Sequence, residues 1–155
     1  PSDTGRINDI EVKYCMREGL RAIHFAVEPV AVGTAVEVKV DFRRRLDHMQ
    51  QHSGQHLLSA VLCNEHGLET VSWSLGADVS HVELKTTKGF SPSSELLRSV
   101  EEECNRMILE GLEVRVTEYD QTTEVCPSSV PDDYVGGIVR FVEIIKDGTT
   151  LDRNA

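Results

Sequence analysis

The stretch LDHMQQHSGQHLL (residues 46–58) sets three histidines four residues apart: His48, His52 and His56. They are half of the six histidines in the chain. Imidazole is both a common metal ligand and a proton carrier near neutral pH. At about 100° per residue, a step of four advances a helix by only about 40°, so the three would form one stripe. A pair at i and i+4 meets over a single turn and can share one metal ion. Three chemistries stay open. The histidines are surface or satisfied core residues, or zinc ligands awaiting partners from elsewhere, or part of a zincin-type protease. The last needs a glutamate directly after the first histidine of the pair, and Ser53 follows His52.

Such a stripe needs a helix beneath it. Met49, Leu57, Leu58, Val61 and Leu62 recur at helical spacing until Gly67, and Asp47 with Gln50 has the spacing of a capping box. The spacing therefore predicts a largely buried helix that starts near His48 and carries its histidines on a polar seam. Cys63 lies on the same side but roughly two turns beyond His56, too far to close the same tetrahedral site.

Around this helix the pattern is mostly of period two. EVKYCMRE (11–18) and RAIHFAVE (21–28) alternate and join through Gly19 as a hairpin, and AVEVKVDF (35–42) follows a turn near Gly33. LETVSWSL (68–75) and DVSHVELKT (78–86) read as strands, as do EVRVTEY (113–119) and GIVRFVEII (137–145). A second helix is expected with Ser91 as N-cap, Pro92 in its first turn and Glu95 near the positive end of its dipole. Leu96, Leu97, Val100, Cys104, Met107 and Ile108 supply its apolar stripe, and Gly111 ends it. CPSSVPDDYVGG (126–137) reads as a loop. The order predicts an α+β fold: a β-rich part over 1–43, then an antiparallel sheet packed with helices over 44–155.

Composition narrows the classes. In 155 residues, 39% hydrophobic and 27% charged content describe a folded chain. No apolar run is long enough to cross a bilayer and no signal-peptide pattern is present, so a cytoplasmic protein is expected. A net charge of −10 argues against gripping nucleic acid with the whole surface, because phosphate binding depends on Lys and Arg. FRRRLDH (42–48) is the exception: either a local basic patch or solvated charge at a strand end. Cys15, Cys63, Cys104 and Cys126 show no CxxC spacing and read as small core residues. The chain begins at Pro1 without a methionine and reads as a fragment or a processed product.

The wording of the histidine stretch says more than its spacing. RRLDHMQQHSGQHLLSAV (44–61), followed by TVSWSLG (70–76), resembles the editing domain of alanyl-tRNA synthetase and the free-standing AlaX-type trans-editing proteins. PSDTGRI (1–7) and PDDYVGGIVRFVEI (131–144) resemble, in the same order, a turn of the family's β-rich N-terminal domain and the strand before its second metal motif.

The resemblance implies a small β-barrel-like N-terminal part and hydrolysis of misacylated tRNA(Ala), chiefly seryl-tRNA, with glycyl-tRNA as the second candidate. It implies a zinc ion held by HxxxH plus a later CxxxH, of which His52 and His56 match the first pair. The second pair is expected just past Ala155; Cys126 sits in a CPSS context that does not match it. Two ligands of four would hold zinc weakly, which leaves open a metal-free, inactive chain. Ser53 and Gln55 are the implied catalytic-site contacts, with Ser72, Trp73, Ser74 and His48 near the substrate. Arg43, Arg44 and Arg45 would face the tRNA acceptor end. A non-catalytic RNA- or protein-binding module that keeps the fold is the alternative.

Overall fold

The computed structural model describes residues 2–76, 78–127, 130, 134 and 137–154. The chain divides into two compact units, Pro1–His52 and Ser53–Ala155, and the division falls inside a helix.

The first unit is a four-stranded antiparallel sheet of order β3-β2-β1-β4, from β1 (Gly5–Ile7), β2 (Ile10–Glu18), β3 (Arg21–Ala26) and β4 (Val38–Val40). The expected Gly19 hairpin forms, with Glu18 opposite Arg21 and Gly19 at φ 58°. Residues 5–7, expected in a turn, instead form an interior strand. A Cβ on Gly5 would meet the Lys39 carbonyl oxygen at 2.2 Å, so its glycine permits close pairing with β4. The sheet is open, not barrel-like: β3 and β4 are its two edges among the described residues. β1 and β4 pair over three residues each, too short to carry the stagger of a closed barrel.

Helix α1 runs Phe42–His66, starting five residues before the expected Asp47 box. Asp41 is the reason: its Oδ1 accepts from the Arg44 N–H at 3.1 Å and its carbonyl from the Arg45 N–H at 2.9 Å. Phe42 and the arginine run thus belong to the first helical turn and not to a strand end.

The second unit holds the rest of α1, the hairpin β5 (Thr70–Ser74) with β6 (His81–Leu84), helix α2 (Ser94–Glu110), and a sheet of order β7-β8-β9. These last strands are β7 (Glu113–Asp120), β8 (Ile138–Lys146) and β9 (Thr149–Asn154). Ser93, not Ser91, caps α2 by accepting from the Leu96 N–H at 3.2 Å, which leaves Pro92 outside the helix. Gly111 ends it in the left-handed region, as expected. Leu57, Val61 and Leu62 of α1 meet Val100 and Met107 of α2 to form the core. Leu96, Cys104, Ile144 and Leu151 pack around them, whereas Leu97 and Ile108 of the expected stripe are exposed.

Candidate functional site

His56 of α1 has a carboxylate and an amide of β9 beside its ring. Its side chain is 20% exposed, and Nδ1 lies 3.1 Å from Asp152 Oδ2. The Asn154 amide nitrogen stands 2.8 Å from the same Nδ1 and donates to Asp152 Oδ2 at 2.6 Å. Both partners come from β9, 98 residues along the chain in the case of Asn154.

The local fold explains why β9 can do this. β8 and β9 turn through Asp147 and Gly148 at φ 51° and 76°, the two left-handed residues that a tight hairpin favours. Ile144 then pairs with Asp152 but Ile145 with Thr150, so Leu151 is an extra residue in the ladder. Neighbours in a regular strand face opposite sides. Here Leu151 packs on the helical core while Asp152 reaches His56, so the bulge turns two successive side chains toward α1. Asn64 of α1 donates to the Leu151 carbonyl at 3.1 Å and pins the bulge.

A second polar cluster lies beside the first on the helix. Gln55 is 7% exposed and donates through Nε2 to Ser59 Oγ at 3.0 Å, and Thr70 of β5 donates to the same oxygen at 2.9 Å. Gln55 Oε1 is buried without a hydrogen-bond partner among the described residues. Ser53 is exposed. Two residues apart on a helix means about 200° of rotation, so Ser53 and Gln55 point to different sides. On β5, Ser72 donates to the Glu83 carboxylate, Trp73 is 45% exposed opposite Val82, and Ser74 pairs with His81.

The remaining candidates sit in the first unit. Arg45 forms a forked ion pair with Asp3, Nε lying 2.8 and 2.9 Å from its two oxygens. That hydrogen bond holds the Asp3 carboxyl below its ordinary range, against the opposing effect of desolvation. Arg44 donates to the Ser2 carbonyl at 3.2 Å. His48 is 12% exposed, neither ring nitrogen has a hydrogen-bond partner among the described residues, and the Asp47 carboxylate stands 3.9 Å from Nδ1. His52 is exposed, one turn before His56.

The chain is 42% identical over 142 residues to the alanyl-tRNA editing protein Aarsd1 of Bos taurus, covering 89% of this chain and 31% of that protein. It is 36% identical over 162 residues to the putative alanyl-tRNA editing protein alaX of Saccharomyces cerevisiae, covering 92% and 34%. It is 32% identical over 92 residues to the alanyl-tRNA editing protein AlaX-L of Pyrococcus horikoshii, covering 59% and 22%. The chain is a relative of the alanyl-tRNA editing proteins. No protein-family model matches it. The chain spans about a third of the length of the curated alanyl-tRNA editing proteins it matches along nearly all of its own.

Against that family background, the residues missed by sequence reasoning are Asp152, Asn154, Ser59 and Thr70. The signal for the first two was present: Asp147-Gly148 after an alternating strand is a tight-hairpin signature, and it folds residues 149–154 back along β8. Among the described residues, no group of three or more His, Cys, Asp and Glu side chains is placed to share a metal ion. Of the loop 126–137, residues 128, 129, 131–133, 135 and 136 lie outside the described residues. No described helix is long and apolar enough to cross a membrane.

Proposed function

We propose that this chain carries the hydrolytic site of an alanyl-tRNA editing protein, with residues 44–155 as the editing domain. Its substrate is the ester of a misacylated tRNA(Ala), seryl-tRNA first and glycyl-tRNA second, bound in the cytoplasm by its acceptor end. The chemical need is general. A pocket shaped for alanine rejects poorly a side chain that adds only a hydroxyl, so a second, hydrolytic site has to remove the error. The observation that carries the proposal is the partly buried His56, held against Asp152 on the polar seam of a chain related to editing proteins along its length.

The donor chemistry at His56 fits a metal. A carboxylate beside the ring is the usual outer partner of a metal-bound imidazole, and Asp152 stands 3.1 Å from Nδ1. His52 and His56 would hold zinc, one turn apart on α1, and would supply half of a tetrahedral set. When bound, zinc supplies Lewis-acid polarisation of the ester or a water of lowered pKa. The chain's own residues then bind and orient: Gln55 Oε1 offers a buried acceptor to a donor on the substrate, and Ser53, Ser72, Trp73, Ser74 and His48 are further contact candidates. Arg43, Arg44 and Arg45 would meet tRNA phosphate. Arg44 and Arg45 already hold partners in the first unit, so Arg43 is the first of the three to test.

The test is hydrolysis of seryl-tRNA(Ala) by the full-length protein and by a His52→Ala, His56→Ala variant. A loss of at least a hundredfold is expected. Equal rates would sink the histidine-site assignment, and no hydrolysis by either protein would leave a non-catalytic binding module.

A further inference from the structure

We infer that the uncovered part of the β7–β8–β9 sheet beside His56 is the docking surface for the 3′-terminal nucleotide of a single-stranded RNA end. Arg140 takes its phosphate, and Val116 and Val142 take its base and sugar. The inference rests on the function proposed above for the RNA as partner, but its geometry involves no metal and lies within the second unit. β7 and β8 pair without a register shift from Glu113 opposite Ile145 to Asp120 opposite Ile138. Alternation therefore puts Ile138, Arg140, Val142, Ile144 and Lys146 on one side of the sheet. That side faces the helices: Ile144 packs on the helical core, and Lys146 reaches Glu103 of α2 at 3.1 Å.

The helices cover only one end of it. Val114 and Val116 of β7, opposite Ile144 and Val142, are exposed, and so are Val142 and Ile138. The other side of the sheet is closed, with Val139, Phe141 and Ile145 buried and Glu143 held by Arg153 at 2.7 Å. The open aliphatic strip runs straight into the polar site. Val142 is opposite Asn154, whose amide nitrogen stands 2.8 Å from His56 Nδ1. Arg140 lies two residues from Val142 in the direction away from Ile144, about 7 Å along the strand.

Arg140 selects the occupant. It is exposed and makes no hydrogen bond or ion pair among the described residues, although Glu118 is opposite it. Arg115 and Arg153 of the same sheet are both paired with carboxylates. Exposed valines alone would suit another protein. An unpaired guanidinium beside them suits an anion with an apolar face, and a nucleotide joins the two: base and sugar for the valines, phosphate for the forked donor. An ester on the terminal ribose then lies toward His56, and the RNA strand leaves past Arg140.

Fluorescence anisotropy tests the surface with no aminoacylation or added metal. The probe is a loop-labelled RNA hairpin whose 3′ end is single-stranded ACCA, titrated with the full-length protein. Arg140→Gln should bind roughly fivefold more weakly, the upper range for an exposed ion pair. Its slope of log affinity against log salt should fall by about 0.7, one phosphate contact on a single strand. Arg140→Lys should recover part of the loss, and Glu118→Gln should bind more tightly than wild type. Val116→Glu should weaken binding by setting a negative charge in the strip, whereas Arg115→Gln, on the other side of the sheet, should bind as wild type does. Equal binding by Arg140→Gln and wild type, or the same loss on a hairpin without the tail, overturns the inference. Self-association that Val116→Glu abolishes while RNA affinity stays unchanged overturns it in favour of a second copy. Arg140-dependent tail binding by a protein that hydrolyses no seryl-tRNA(Ala) supports the surface and counts against the hydrolytic reading. Hydrolysis by a protein whose tail binding ignores Arg140 keeps that reading and overturns the surface.

Discussion

The evenly spaced histidines of α1 are divided between two halves with opposite surroundings. In the first unit, Phe42, Leu46 and Met49 are 67%, 42% and 52% exposed, and His48 is enclosed with both ring nitrogens lacking a hydrogen-bond partner among the described residues. In the second, Leu57, Val61 and Leu62 are buried, and His56 is matched by a carboxylate and an amide from β9. Spacing made the histidines look equivalent. Partners brought from the far end of the chain make them different.

The largest expected effect sharpens that contrast with one residue type. Leu57→Ala removes a buried side chain from the core shared with α2 and should cost about 2–5 kcal/mol. Leu46→Ala, on the exposed stripe of the same helix, should cost about 0.5 kcal/mol. Urea denaturation, followed through the fluorescence of the only tryptophan, Trp73, in the second unit, measures the first directly. Equal losses, with Leu46 read by circular dichroism, would break the comparison.

How much of this was legible in advance depended on the range of the interaction involved. Local periodicity was enough for the strands 11–18 and 113–119 and for the Gly111 stop, because the signal lies within the segment. The turn expected over residues 1–7 came from the resemblance alone, and Gly5 there instead lets two backbones approach. The start of α1 was misplaced because Asp47 and Asp41 are both plausible caps. Only the hydrogen bond from Arg44 chooses between them. His52 and His56 were visible as candidates from their spacing. Asp152 and Asn154 were not, because their role arises from a hairpin and a bulge acting at long range.

The helix starts give a medium-sized test. Asp41→Ala removes the cap of α1, whose first turn holds arginines and no acidic residue. Ser93→Ala removes the cap of α2, where Glu95 remains beside the helix dipole. Each should cost about 1 kcal/mol, with Asp41 the larger because it is a charged cap at the positive end of a helix whose own first turn has no acidic residue. Thermal melts of both variants check the order. A larger loss at Ser93 would show that the arginine run does not burden α1.

The smallest effect concerns acid, and it separates the ion pairs of the second unit from its core. Glu103 of α2 is held at about 2 by hydrogen bonds from Arg106, then from Lys146 of β8 at 3.1 Å. Its folded value lies below the unfolded 4.5, so the stabilisation is complete above about pH 4.5 and is lost as the pH falls toward 2. Glu103→Gln should therefore be less stable than wild type at neutral pH, and the difference should close on acidification through that window. The groups are at the surface, so added salt should narrow the gap at neutral pH as well. The core contribution of Leu57 has no such titration, and its loss should persist at both ends of the range. Denaturation curves for the two variants at pH 7 and pH 2.5 decide the matter: a Glu103→Gln gap that does not change with pH would place its effect in packing and not in charge.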